Sequence, residues 1–153
     1  MARRAALAAS AAAAMATATL ITTGAAQAAP ATLAVQQVPN VGVTVSTSNG
    51  VTDAFAARLA ATPAAAGSTQ LSIRPENAKA CSTNLANSRA AITWRNMTTN
   101  KSDDIVFPVC AAGKPSAGVV VPTGAGRITF TTTIIDRTQQ TFTVSPGSGS
   151  FRR

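Results

Sequence analysis

Histidine and tyrosine are absent from this chain of 153 residues, and there are only two cysteines and five acidic residues. Histidine is the side chain that most often serves as a base near neutral pH. Its absence excludes Ser-His-Asp and Cys-His arrangements for nucleophilic catalysis. A zinc site would also lack its usual nitrogen ligand. The sequence therefore predicts a protein that is not an enzyme and that uses no cofactor and no metal.

Phosphate-binding loops are missing as well. Gly124-Ala125-Gly126 lacks the third glycine of a dinucleotide-binding turn, and the residues after it have the pattern of a strand rather than a helix. A surface for single-stranded nucleic acid needs exposed aromatic rings between basic residues. Trp94 and Arg95 are neighbours on a predicted strand, so their side chains point to opposite faces. We therefore expect no nucleic-acid partner.

A long apolar run occurs only near the start of the chain. Two arginines precede an alanine-rich segment, and Ala26-Gln27-Ala28 has the pattern of a signal-peptidase site. The alternative is a membrane anchor over residues 5–23. No later stretch reaches 18 apolar residues. The pattern predicts a signal peptide over residues 1–28, cleavage after Ala28, and a secreted, extracellular protein without a stable membrane span.

Basic residues outnumber acidic ones by 13 to 5, which gives a net charge of +8. Cleavage after Ala28 removes Arg3 and Arg4 and leaves eleven basic and five acidic residues, a net charge of +6. Because the basic residues are scattered, they fit either a solvated surface or an anionic partner. Outside the cell, that partner is an anionic cell-envelope polymer or another extracellular macromolecule.

The two cysteines, Cys81 and Cys110, allow a single intramolecular pairing. A secreted chain matures in an oxidising environment, where such a pair forms a disulfide. Closing a loop of about 29 residues stabilises the fold by roughly 3.5 kcal/mol in the chain-entropy model. Two free thiols are the alternative.

The mature chain divides into two regions near Pro63 to Ser68. Residues 29–67 contain an alternating strand, Val41 to Thr47, and a predicted short helix, Thr52 to Ala61, which ends at Pro63. We expect this region to be loosely attached. Residues 68–153 contain a series of short strands, among them a hairpin of Ala91 to Met97 with Ile105 to Cys110, and end in a flexible glycine- and serine-rich segment.

This pattern predicts a mainly β fold, an antiparallel sandwich with one short helix and one disulfide. The side chains that alternate with polar residues along the predicted strands form the expected core. They are Val43, Val45, Ile73, Ile92, Trp94, Ile105, Phe107, Val109, Val120, Ile128, Phe130, Ile134, Phe142 and Val144.

The spacing of Cys81, Ile92 and Trp94 resembles the first cysteine and core tryptophan of immunoglobulin domains. The resemblance implies an immunoglobulin-like sandwich. Cys110 follows Trp94 by only 16 residues, and the tyrosine corner of that superfamily is missing. In composition, the alanine-rich leader followed by Ala-Pro-Ala resembles small secreted proteins of high-GC Gram-positive bacteria.

The candidate binding residues are polar and basic. The segment Thr98 to Asp104 has the composition of an exposed loop, and four basic residues lie within it or on the strands around it: Arg95, Lys101, Arg127 and Arg137. We expect them to contact the extracellular partner.

Three other interpretations stay open. The segment Cys110 to Pro122, with Lys114-Pro115, is a candidate loop for inhibiting a secreted hydrolase. A small carboxylate enzyme would need a pair such as Glu76 and Asp136. Asp103 and Asp104 are either solvated or part of a weak calcium site.

Overall fold

The structure, a computed structural model, describes residues 31–136 and 140–153. The first half of the chain forms four strands and a 3₁₀ helix: β1 (Val35–Val38), β2 (Asn40–Ser46), β3 (Gly50–Pro63), β4 (Thr69–Pro75) and the helix Ala78–Ser82. The second half forms eight strands: β5 (Ser88–Asn96), β6 (Ser102–Pro108), β7 (Cys110–Ala111), β8 (Lys114–Pro115), β9 (Val119–Val121), β10 (Arg127–Asp136), β11 (Thr141–Ser145) and β12 (Gly147–Arg152). Among the described residues, no helix has the length and hydropathy needed to cross a membrane.

Ten of the described strands belong to one antiparallel sheet. Its order from edge to edge is β9, β4, β3, β2, β11, β10, β5 and β6. β12 pairs with β1 on one edge and with β10 on the other. Pro39 separates β1 from β2 along the chain, and Pro146 separates β11 from β12. β7 and β8 form a small separate hairpin. The predicted mainly β, antiparallel fold is therefore confirmed.

One hydrophobic core lies between the two halves of this sheet. Side chains from β3, β4 and β9 share a single buried cluster with side chains from β5, β6 and β10, so the two halves face each other in a sandwich-like arrangement. Most of the predicted strand residues are confirmed in this core: Ile73, Ile92, Trp94, Phe107, Val109, Ile128, Phe130 and Ile134.

The predicted helix at Thr52 to Ala61 is wrong, because these residues lie within β3. Phe55, Ala57, Leu59 and Ala61 are buried at every second position, which is the period of a strand. Alanines on both faces hide this alternation in the sequence. β3 pairs with β2 on one edge and with β4 on the other, and this pairing overrides the helix propensity of the segment. Residues of the region 29–67 are thus part of the sheet and not loosely attached to it.

The predicted inward face of β2 is also wrong. Asn40 and Gly42 point into the core, whereas Val43 and Val45 lie on the other face and are only half-buried. A Cβ atom at position 42 would overlap the ring of Phe55, so the interior at this point has room only for glycine.

Three further core predictions are wrong because the other face of the strand points inward. Phe142, the register partner of Val43, is 41% exposed, and Val144 is 62% exposed next to a β-bulge. In β9, Val121 is buried in place of Val120.

The expected flexible C-terminal segment forms β12. Gly147-Ser148-Gly149 pairs with both β1 and β10, and Phe151 is buried in the core. The Arg153 side chain then donates hydrogen bonds to the carbonyl oxygens of Ser68, at 2.7 and 2.9 Å, and Ala65, at 2.8 Å. Glycine at the inward positions 147 and 149 allows β12 to approach the neighbouring strands closely. A search for bulky apolar residues does not detect such a strand.

Two amide side chains complete the hydrogen bonding where prolines interrupt the strands. Gln37, two residues before Pro39, donates through Nε2 to the Leu59 carbonyl oxygen and accepts through Oε1 from the Leu59 N–H, both at 2.8 Å. Buried Asn40 donates to the Thr132 carbonyl oxygen at 2.7 Å. These contacts connect β1 to β3 and β2 to β10, in positions where a proline supplies no N–H.

The predicted disulfide between Cys81 and Cys110 is confirmed, with 5.4 Å between the two Cα atoms. It joins the 3₁₀ helix to the β7–β8 hairpin, both of which lie outside the main sheet. Ser116 fixes the other end of the hairpin, because its Oγ donates to the Pro108 carbonyl oxygen at 2.6 Å.

Replacing both cysteines in the variant C81S/C110S should lower the free energy of unfolding by about 3.5 kcal/mol, because the disulfide closes a loop of 29 residues in the unfolded chain. Urea unfolding followed by tryptophan fluorescence measures this loss. Reduction of the wild type with dithiothreitol is the control and should give a similar loss. An unchanged unfolding midpoint in both samples would contradict a stabilising disulfide.

Candidate functional site

Three arginines share the outward side of three adjacent strands. Arg127 begins β10 and pairs directly with Arg152 of β12. Arg95 of β5 pairs with Thr129, two residues along β10 from Arg127. Paired residues, and residues i and i+2 of one strand, share a face, so the three side chains point to the same side. All three are exposed. We call the surface formed by Arg95, Arg127 and Arg152 the arginine face.

The pair of Arg127 and Arg152 is unfavourable for stability. Directly opposite residues have Cβ atoms about 5 Å apart, and like charges in this position destabilise a sheet. Within residues 31–136 and 140–153, the one salt bridge joins Arg58 of β3 to Glu76, at 2.9 Å. The two arginines therefore repel each other without an acidic partner. An arrangement that works against the fold in this way is typical of a functional site.

Hydroxyl and amide groups surround these arginines. A surface depression of about 410 Å³ next to Arg127 and Arg152 is lined also by Gln36 and Ser150. Thr129 is directly opposite Arg95 and two residues from Arg127 on β10. Its hydroxyl donates to the Arg95 carbonyl oxygen at 3.3 Å. The face thus combines positive charge with neutral hydrogen-bonding groups, and Ala34 and Phe151 add apolar atoms to the lining of the depression.

Comparisons with known proteins give no identification. No protein-family model, curated protein or solved structure matches this chain. The arginine face therefore has to be interpreted from its chemistry. Guanidinium groups bind carboxylates and phosphates through paired N–H donors.

The predicted binding residues divide into three groups. Arg95 and Arg127 lie on the arginine face, as diagonal neighbours on β5 and β10. Lys101 is exposed at the turn between β5 and β6, and Arg137 lies outside the described residues. Arg152 was missed because the sequence around it was expected to be flexible. Glycine occupies two of the three inward positions of β12, Gly147 and Gly149, so only Phe151 marks this strand in the sequence.

The predicted loop Thr98 to Asp104 is shorter than expected, because β6 already begins at Ser102. Buried Asn96 organises the remaining turn. Its Oδ1 accepts from the Thr98 and Thr99 N–H groups, at 2.8 and 3.1 Å. Its Nδ2 donates to the carbonyl oxygens of Thr123 and Ala125, at 2.7 and 3.0 Å. One side chain thereby holds the turn next to Arg95 and the loop that leads into Arg127.

The acidic residues lie away from the Arg127–Arg152 pair. Asp103 and Asp104 are consecutive residues of β6, so their carboxylates point to opposite faces and do not converge on one cation. Asp104 is on the same outer side as Arg95 and accepts a hydrogen bond from Thr93. Glu76 and Asp136 line two neighbouring depressions near the other end of β10. Among the described residues, no three potential ligand side chains form a metal site.

The segment Cys110 to Pro122 begins with a tight hairpin. Ala112 and Gly113 have φ angles of 49° and 71°, the left-handed conformation of a two-residue β-turn. Its exposed tip is limited to residues 111–114, and the disulfide and Ser116 fix its base.

Replacing Arg152 by glutamine should raise the free energy of unfolding by about 0.2–1 kcal/mol, because it removes a like-charge pair from directly opposite positions. Chemical denaturation in low salt measures the gain, which high salt should reduce because it screens the repulsion. Arg74→Gln is the matched control, since Arg74 is paired with Arg58, whose charge Glu76 already compensates. A loss of stability for Arg152→Gln would show that Arg152 serves the fold.

Replacing Asn96 by alanine should lower the free energy of unfolding by about 3 kcal/mol, because it leaves the buried Thr123 carbonyl and three partly buried backbone groups without this partner. Thermal or chemical denaturation gives the loss, and hydrogen exchange at Thr98 and Thr99 should become faster. Asn100→Gly, in the same turn, should have little effect because Asn100 is exposed and its φ of 59° suits glycine. Equal losses in both variants would contradict the organising role of Asn96.

Proposed function

We propose that this protein is a secreted, non-catalytic binding module that contacts an anionic polymer of the cell envelope through the arginine face. The observation that carries the proposal is the directly opposed pair of Arg127 and Arg152, which are exposed and have no salt-bridge partner among the described residues. A ligand with negative charge converts their mutual repulsion into attraction.

The geometry favours a ligand with more than one anionic group. Arg127 and Arg152 lie about 5 Å apart at Cβ, and the diagonal neighbours Arg95 and Arg127 about 7–8 Å apart. A single carboxylate or phosphate can bind one or two guanidinium groups through bidentate hydrogen bonds. A polymer with repeated anionic groups can reach all three arginines at once, which increases its avidity.

Secretion is supported by two independent features. The first 28 residues have the charge and hydropathy pattern of a signal peptide. The disulfide between Cys81 and Cys110 is of a kind that persists in oxidising compartments. Together they favour a site of action outside the cytoplasm, where envelope polymers are accessible.

The finer fold assignment that we propose is an immunoglobulin-like sandwich. Buried Trp94 in a central strand of the core supports it. The disulfide differs from the inter-sheet bridge of that superfamily, since it connects the 3₁₀ helix to the β7–β8 hairpin. We infer no activity from this fold.

Binding can be tested with the secreted protein on immobilised polyphosphate, polygalacturonate and neutral dextran. We expect retention on at least one of the two polyanions, none on dextran, and elution by moderate salt because exposed charges are screened. The variant R127Q/R152Q should bind the retained polyanion at least about tenfold more weakly, since it loses two charged contacts.

The variant R58Q/R74Q is the matched control, because it removes the same charge from another directly opposed arginine pair. It should keep most of the binding. Equal losses in the two variants would show that net charge alone causes retention and would overturn the proposed site. Full binding by R127Q/R152Q would overturn it as well.

A further inference from the structure

A polar groove lies at the other end of the molecule from the arginine face. Asp136 ends β10 nine residues after Arg127, about 30 Å away along an extended strand. A depression of about 400 Å³ next to it is lined by Asp53, Asn84, Asn87 and other polar residues. A second depression of about 210 Å³ shares Asp53 and Asn84 with the first. We call the two together the polar groove.

The charge of this groove is opposite to that of the chain. Three of the five acidic residues, Asp53, Glu76 and Asp136, line it, and no lysine or arginine among the residues that the structure describes does. Arg58 binds Glu76 without being part of the lining. In a chain with a net charge of +8, this concentration of acceptor groups distinguishes the groove from the rest of the described surface.

Hydrogen bonds fix the floor of the groove. Thr141 is buried, and its Oγ1 lies 2.9 Å from both the Thr44 Oγ1 and the Asn84 carbonyl oxygen. Asp53 accepts from the Ala54 N–H at 2.8 Å. Groups held in this way need little reorganisation when a ligand binds.

Two exposed amides at the groove remain available. Among the described residues, no hydrogen bond involves the side chains of Asn87 and Gln140, which both line the larger depression. Each amide offers two N–H donors and a carbonyl acceptor in one plane. Together with the carboxylates, the groove can both donate to and accept from the same ligand.

One wall of the smaller depression is apolar. Phe55, Ala56 and Ala80 line it beside the polar groups of Glu76 and Asn77. A ligand for this groove therefore has hydroxyl-bearing edges and C–H faces. Sugar rings have both, since their hydroxyls donate and accept while their ring C–H groups pack against apolar side chains.

From these contacts we infer that the polar groove binds a neutral, hydroxyl-rich saccharide. This site is separate from the arginine face, and neither proposal requires the other. The exposed amides of Asn87 and Gln140 and the carboxylate of Asp53 bind the hydroxyls, and the half-buried Ala56 side chain contacts the ring.

Titration of the ¹⁵N-labelled protein with chitohexaose, cellohexaose and maltohexaose tests this inference. At least one of the three should cause saturable shifts of the backbone amides of Asn84, Asn87, Gln140 and Thr141. The variant N87A/Q140A should weaken that binding about tenfold or more, because two amides lose their contacts to the sugar. Its folding should be unchanged, since both side chains are exposed and make no hydrogen bond with the described residues.

The variant Q36A/N100G is the matched control, because it removes two exposed amides outside the groove, and it should bind the sugar as the wild type does. R127Q/R152Q should also keep sugar binding, whereas N87A/Q140A should keep polyanion binding, so the failure of one proposal is distinguishable from the failure of the other. The inference is overturned if none of the three sugars shifts the groove amides. It is equally overturned if N87A/Q140A binds as tightly as the wild type.

Discussion

The packing of Phe55 against Gly42 is the constraint on which the fold depends. β2 and β11 lie between the two halves of the sheet, and the interior beside β2 has little room. Phe55 and Gly42 are directly paired, and the Phe55 ring occupies the space that a side chain at position 42 would need. The Phe55 ring of β3 thus also occupies the interior space next to β2. Since β2 contributes no large apolar side chain, Asn40 can reach Thr132 across the interior and the valines can face outward.

The sequence predicts best those strands whose inward residues are bulky and whose outward residues are polar. β5, β6 and β10 have this pattern, and their core residues Ile92, Trp94, Phe107, Ile128 and Phe130 were all identified. β3 and β12 do not have it. Alanine occupies both faces of much of β3, and glycine occupies two inward positions of β12, so hydropathy does not alternate there. Pairing with neighbouring strands determines the conformation of these segments, and a single sequence does not contain that information.

The candidate site likewise depends on strand pairing that a single sequence does not show. Arg95 and Arg127 could be chosen from their charge, but their common face results from the register between β5 and β10. Arg152 reaches the same face only because Phe151 anchors β12 in the core. The polar groove collects residues from β2, β3, β10, the segment 76–87 and the start of β11, which no local pattern connects.

The position of β12 also has a consequence for when the protein can fold. β12 comes last among the described strands, yet it lies between β1 and β10 in the finished sheet. Its partners in β1 are more than a hundred residues away along the chain, and contacts of such long range form slowly. A nascent chain that ends before Gly147 lacks the strand that joins β1 to β10. The sheet is therefore completed only after residues 147–152 have been synthesised.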